Sequence, residues 1–393
     1  MFTILPIKGF IDQIDGFYCD GIHAGLKPNG NKDLGFIYSD TLCEVEAVFT
    51  KNKFQAAPLK HYQMYEKGFQ SNFVLINSKN ANAMTGQRGI DDINEIFSSI
   101  NHNIVNPIMS STGVIGNPLP KEKIIVGANS FDLSSKSGQN LSEAIMTTDA
   151  YPKTCMYEVK IDDENSFKIG AVAKGAGMIN PNLATMLCFI CTDAAIPKED
   201  MNELLSEASH TSFNAISVDG DTSTNDTVLL LANKKSNAYN KEAFKEVLKL
   251  VMHDMAMLMV ADGEGAKKAV AFEVVGARSD EEAETAAKAL SNSLLVKTAL
   301  FGEDPNFGRI ASTIGASQIE CDETKLTISY NDVKVFEKGV ILFDEVCEAK
   351  AAEVLKNCEY KVLCDIGIGE GKFTAYGCDL GYKYVEINAD YRT

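Results

Sequence analysis

At 393 residues the chain is too long for one small hydrophobic core, so its length predicts two or more domains. Hydrophobic content of 45% and charged content of 23% are globular values and exclude extensive disorder. A net charge of -17 argues against a nucleic-acid binder, which needs basic patches for phosphate, and disfavours docking on anionic lipid.

The N-terminus, Met1-Phe2-Thr3-Ile4-Leu5-Pro6-Ile7-Lys8, lacks the basic start and the apolar stretch of a signal peptide. Short apolar runs at Phe73 to Ile76, Leu187 to Ile190, Val228 to Leu231 and Ala271 to Val275 read as buried strands. Between the second and third, Pro197 opens a helix with Met201, Leu204, Leu205 and Ala208 on one face. A longer helix starts near Lys241, turns Phe244, Val247, Leu248, Val251 and Met255 inward, and ends near Asp262-Gly263. Ser279 with Glu282 three residues on is a capping box that opens another helix. A composition shift at Gly276-Ala277-Arg278-Ser279 divides a main domain, 1–275, from a smaller C-terminal α/β domain, 276–393. No apolar run reaches the roughly 18 residues that span a bilayer, because His253 and Asp254 interrupt the best candidate, so a soluble, cytoplasmic protein is expected.

Ten cysteines in such a chain read as buried thiols rather than a disulfide framework. Cys188 and Cys191 form one C-x-x-C without a second pair, and the five histidines are scattered singly. No metal and no cofactor are expected.

The chemically most suggestive stretch is Lys174-Gly175-Ala176-Gly177-Met178-Ile179-Asn180-Pro181-Asn182-Leu183-Ala184-Thr185-Met186-Leu187. Its glycines and proline allow turns that ordinary residues resist, and the apolar run that follows would fix the position of Thr185. A threonine hydroxyl is inert until a base activates it. Cutting the Ala184-Thr185 bond would put an α-amino group, with a reference pKa of about 7.7 to 8.0, on the same residue as that hydroxyl. The ordinary reading of a Gly-x-Gly turn before a strand is plain punctuation.

The remaining segments favour the first reading. They are Gly21-Ile22-His23-Ala24-Gly25-Leu26-Lys27, Val48-Phe49-Thr50-Lys51-Asn52 with Ala56-Ala57-Pro58, Asn77-Ser78-Lys79-Asn80-Ala81-Asn82-Ala83 and Ser111-Thr112-Gly113-Val114-Ile115-Gly116. Thr147-Thr148-Asp149, Ser217-Val218-Asp219-Gly220-Asp221-Thr222-Ser223-Thr224-Asn225-Asp226, Asp262-Gly263-Glu264-Gly265-Ala266 and Asp304-Pro305-Asn306-Phe307-Gly308-Arg309-Ile310 follow, with a tail from Cys378 to Thr393. In this order they resemble the ornithine acetyltransferase family, also called the bifunctional glutamate N-acetyltransferase family, of arginine biosynthesis, over nearly the whole chain. Lys79 departs from the family's usual glycine, Met84 from cysteine, and Phe307 and Tyr376 from tryptophan.

The resemblance implies an αββα sandwich, a mixed α/β fold of the autoprocessing N-terminal-nucleophile kind. It implies self-cleavage into chains 1–184 and 185–393, an α2β2 assembly, and transfer of acetyl from N-acetylornithine to glutamate through acetyl-Thr185. Acetyl-CoA is an additional donor in bifunctional members. Thr112 and Gly113 would form the oxyanion hole; taken alone, their segment is an ordinary loop able to offer a hydroxyl and a close N–H. Thr148, Lys174, Glu264, Asn388 and Thr393, with Thr185, would contact substrate; a lone lysine, a turn carboxylate and a tail would otherwise read as solvated surface.

Two other functions fit parts of the pattern. An N-terminal-nucleophile aminopeptidase or amidase would hand the acyl group to water instead of an amine. A nucleotide-binding regulatory module would use the glycine-rich turns, but Gly367-Ile368-Gly369-Glu370-Gly371-Lys372 is followed by Phe373 where a phosphate loop needs Ser or Thr. Asp219 to Thr224 begins like a calcium loop yet lacks its glycine and its closing glutamate, where Leu230 falls.

Overall fold

The computed structural model describes residues 2–180 and 186–390. Ala184, Thr185 and Thr393 lie outside the described residues.

The strands are, in chain order, β1 (Thr3–Pro6), β2 (Phe17–Ile22), β3 (Leu34–Phe49), β4 (Gln70–Asn77), β5 (Ile108–Ser111), β6 (Lys153–Lys160), β7 (Ser166–Lys174), β8 (Leu187–Thr192), β9 (Ile216–Ser217), β10 (Thr227–Ala232), β11 (Ala269–Ala277), β12 (Thr327–Tyr330), β13 (Val333–Glu337), β14 (Val340–Ile341), β15 (Glu359–Asp365) and β16 (Gly371–Cys378). Among the described residues they make two sheets. One runs β1-β6-β7-β8-β10-β3-β4-β5, with β2 also on β3; the other runs β14-β13-β12-β15-β11-β16-β9.

The long β3 explains how the first sheet becomes a sandwich. Its first half pairs with β2 and β4, its last half with β10, and the register with β4 shifts between Tyr38 and Cys43. Such an irregularity bends a strand and lets a sheet turn over on itself. The side-chain period of two then sorts the residues. Leu187, Phe189 and Cys191 of β8 and Leu229 and Leu231 of β10 share a core with Ile37, Val45, Val74 and Ile76 from the other half. Their neighbours Cys188, Ile190, Val228 and Leu230 face the helices Lys198–His210 and Lys241–Ala261. Phe36, Phe73 and Leu75 pack on Ile93 and Ile96 of the helix Gly86–Ser98 and on Ile124 of the helix Lys121–Asn129. Helix, strand, strand and helix layers follow in that order, an αββα sandwich. Burial on both faces is why β8 and β10 read as unbroken apolar runs.

The expected strands and helices are in place, each within a few residues. Asn240 caps the long helix by accepting the Ala243 N–H at 2.9 Å, and its inward face is the expected one. Only half of the capping box forms: the Ser279 hydroxyl accepts the Glu282 N–H at 3.4 Å, but the Glu282 carboxylate turns to Arg278. The second sheet has its own core with the helix Asp280–Asn292. Gly276, where the composition shifts, lies inside β11 at φ +69°, beside the register irregularity between Val274 and Ala277.

Three sequence features resolve here. Gly367 to Gly369 sit between β15 and β16, so a strand follows them instead of the helix that a phosphate loop needs. Cys188 and Cys191 face opposite sides of β8, which rules out a shared ion. Among the described residues no helix is long and apolar enough to cross a membrane.

Candidate active site

Strand register brings one end of the sandwich together. Lys174 at the end of β7 pairs with Leu187, Leu187 with Thr227, and Thr227 with Phe49, while Asn77 pairs with Ser111 at the ends of β4 and β5. The loops leaving these positions enclose a cavity of about 160 Å³. Thr112, Gly113, Thr148, Lys174, Glu264 and Asn388 all line it, so every expected site residue that is described converges there.

Thr112 and Gly113 continue β5. The Thr112 N–H donates to the Asn77 carbonyl at 3.0 Å, and the Ser111 hydroxyl donates to Asn77 Oδ1 at 2.6 Å. Gly113 has φ +130°, and a Cβ there would lie 2.2 Å from the Lys79 carbonyl carbon. Only glycine fits, for conformation and for space. Lys79 is itself left-handed at φ +76°, which accounts for glycine being the usual residue there in the family it resembles. Asn225 clamps both loops, donating to the carbonyls of Ala81 at 2.6 Å and Ser111 at 2.8 Å.

Lys174 is buried, and its ammonium donates to the Thr112 hydroxyl oxygen at 3.3 Å. That bond uses one acceptor position of Thr112 and leaves its hydroxyl proton available to donate. Burial lowers the proton affinity of Lys174, opposed chiefly by Asp149 and more weakly by Glu264 and Asp226.

Asp149, quoted in sequence only as a neighbour of Thr148, organises the wall. Its Oδ1 accepts from Lys153 at 2.8 Å and from the Gly175 N–H at 2.7 Å, and its Oδ2 accepts the Thr147 N–H at 2.9 Å. Burial favours its neutral form, but Lys174 and Lys153 outweigh that and hold its pKa at about 2. Lys153, fully buried, also donates to Asp262 at 2.5 Å. One buried ion triad thus joins the threonine loop, the end of β7 and the turn that carries Glu264.

Glu264 is buried too, and Asn388 on the helix Tyr382–Asp390 donates to its Oε2 at 2.6 Å. A Cβ on Gly177 would fall 2.4 Å from the Glu264 carboxyl carbon, so that glycine serves close approach. Gly175, Ala176, Met178 and Ile179 are each pinned by a hydrogen bond. Gly175 bonds Asp149, Ala176 accepts from the Glu264 N–H at 2.8 Å, and Met178 and Ile179 donate to Asp219 at 2.6 and 2.9 Å. Tyr384 donates to the same Asp219 at 3.2 Å. Asp219 and Tyr384 line the cavity too; Asp219 drew notice in the sequence only as the start of an incomplete calcium-loop pattern, and Tyr384 only as part of the tail, because their partners are far away in the chain.

A fold of this class, with a threonine hydroxyl, a glycine N–H and a carboxylate lining one small cavity, suits acyl transfer to or from an amine. A model of the ArgJ family matches residues 18–393. The arginine biosynthesis bifunctional protein ArgJ of Wolinella succinogenes is 58% identical, with both chains covered completely, and that of Geobacter sulfurreducens is 41% identical over 97% of this chain and 100% of its own. A crystal structure of the ArgJ protein of Bacillus halodurans is 38% identical and superposes with a TM-score of 0.50, covering 53% of this chain and 100% of that one. The chain belongs to the ArgJ family, and is an acetyltransferase of arginine biosynthesis.

Proposed function

We propose that the chain moves acetyl from N-acetylornithine to glutamate through an acetyl-Thr185 intermediate, after cutting its own Ala184-Thr185 bond. The observation that carries this is the convergence of Thr112, Gly113, Thr148, Lys174, Glu264 and Asn388 on one cavity, at the end of the sheet where Lys174 pairs with Leu187, two residues past Thr185. The Thr185 hydroxyl attacks the acetyl carbonyl while its own α-amine takes the proton. The Gly113 N–H and the Thr112 hydroxyl stabilise the oxyanion, each worth about 2.7 to 4 kcal/mol. Glu264, steadied by Asn388, holds the side-chain ammonium of ornithine, and Lys174 and Thr148 hold the rest of the substrate; Thr393 completes the contact set by family resemblance. The Bacillus halodurans chain is covered completely and spans 53% of this chain, a share equal to that of residues 185–393. The working unit is an α2β2 pair of cleaved chains in the cytoplasm, and acetyl-CoA is a second donor.

Incubating the cleaved protein with N-acetylornithine alone should add one acetyl to the 185–393 fragment, and glutamate should remove it. Initial-rate plots at several fixed glutamate concentrations should be parallel. Intersecting plots without an acetylated fragment would mean direct transfer. Acetate release without glutamate would point to the amidase reading.

A further inference from the structure

The cavity has to serve two substrates of opposite charge. N-acetylornithine brings a side-chain ammonium and glutamate a side-chain carboxylate, and in the scheme above each in turn occupies the space beside Thr112 and Gly113. Three carboxylates, Asp219, Asp221 and Glu264, line that space with one ammonium, Lys174. Such a wall attracts the first substrate and repels the second.

The three carboxylates differ in what already holds them. Asp219 accepts the N–H groups of Met178, Ile179 and Asp221 at 2.6, 2.9 and 3.2 Å and the Tyr384 hydroxyl at 3.2 Å, so it is committed to fixing backbone and helix. Glu264 is buried and takes the Asn388 amide at 2.6 Å. Asp221 stands apart, exposed to solvent where it lines the cavity. The turn that presents it is fixed: Gly220 adopts φ +85°, and the Asn180 side chain donates to the Gly220 carbonyl at 2.7 Å. Burial first, then the charges of Asp219, Glu264 and Asp221, push the Tyr384 hydroxyl up, so Glu264 and Asp221 both act on one point of the cavity wall.

We propose that Asp221 is a specificity-determining residue, a second carboxylate that shares the substrate's side-chain ammonium with Glu264 and weighs against a side-chain carboxylate. The inference rests on the acetyl transfer proposed above. Water screens an exposed charge, so Asp221 biases the choice between substrates while the buried Glu264 fixes the ammonium. The Asp-Gly-Asp that opens an incomplete calcium loop in the sequence thus divides its work. One carboxylate holds the backbone and the other faces the substrate.

The test measures, by calorimetry, binding of ornithine and of norvaline, which is ornithine without its side-chain amine, to wild-type, Asp221→Asn and Asp221→Glu protein. Asp221→Asn should weaken ornithine about fivefold and leave norvaline within about twofold. Asp221→Glu keeps the charge and should retain most of the preference for ornithine. Steady-state rates supply the other half: in Asp221→Asn, kcat/KM should fall for N-acetylornithine and rise for glutamate. A merely structural role would weaken both ligands and lower both ratios together. Equal losses for ornithine and norvaline, or a lowered kcat/KM for glutamate, overturn the proposal. A wild type that binds ornithine no better than norvaline would remove the substrate reading and this role with it; a wild type that prefers ornithine, and keeps that preference in Asp221→Asn, removes only the role of Asp221.

Discussion

The oxyanion donors can be tested one atom at a time. Thr112→Val removes the hydroxyl at constant shape, so kcat of the cleaved enzyme should drop about 100-fold or more with KM little changed; full kcat would strike Thr112 from the mechanism. Asp226 gives a second test, on stability. Its folded pKa lies above its unfolded value, so its favourable contribution is complete below about pH 4 and is lost as pH rises through the folded pKa. Asp226→Asn should therefore melt no lower than wild type at pH 7, and its relative advantage should shrink as pH falls from the folded pKa to about 4 and change no further below that. A larger advantage in acid would contradict a protonated carboxyl. Lys79 offers the reverse case, a side chain at φ +76°. There Lys79→Gly should be more stable than Lys79→Ala by about 1 kcal/mol, because alanine keeps the Cβ strain that glycine lacks. At this scale the sequence revealed residue types and little else. Gly113 was legible because a Thr-Gly pair suggests close approach, and Glu264 and Asn388 only through family resemblance. Asp149, Lys153 and Asp226 gain their meaning from burial, which a single sequence does not display.

Elements were easier to read than the links between them. The apolar runs of β8 and β10 and the amphipathic face of the helix Lys241–Ala261 follow directly from period and composition. The bend in β3 does not, since nothing in Leu34–Phe49 announces which half pairs with which neighbour. Nor does the tail, which reads as loose yet forms the helix Tyr382–Asp390, none of whose described residues is buried; Tyr384 and Asn388 hold it to the site. Three elements are joined by the Asp149-Lys153-Asp262 triad, and Lys153→Met would leave two buried carboxylates facing each other. That should cost about 3 to 5 kcal/mol, read as a lowered unfolding midpoint. Asp149, depressed to about 2, stabilises the fold above its unfolded pKa of about 3.9, a contribution lost as pH falls from about 4 through 2. Lys153→Met should therefore flatten acid unfolding in that window, and an unchanged acid limb would show that the triad contributes no pH dependence.

Topology makes a prediction about the whole molecule if the chain is cut as proposed. Residues 1–184 supply β1 to β7, and residues 185–393 supply β8 and β10, which sit inside the same sheet between β7 and β3. One face of those two strands packs against the other piece, Phe189 and Leu229 meeting Ile37 and Val74, while the opposite face packs on helices of its own piece in a core that Phe167 and Ala171 of the other piece also enter. Pulling the pieces apart would break the ladders β7 to β8 and β10 to β3 and expose both cores. Burial of each large apolar side chain contributes about 1.5 to 3 kcal/mol, and more than a dozen are involved. The two fragments should therefore co-elute under native conditions and at high salt, where mere surface charge pairing between them would be screened. They should separate only in denaturant, with sheet loss and fragment release sharing one midpoint. Release of either fragment from folded protein, or a separation midpoint well below that of unfolding, would be incompatible with β8 and β10 lying at the centre of the shared sheet.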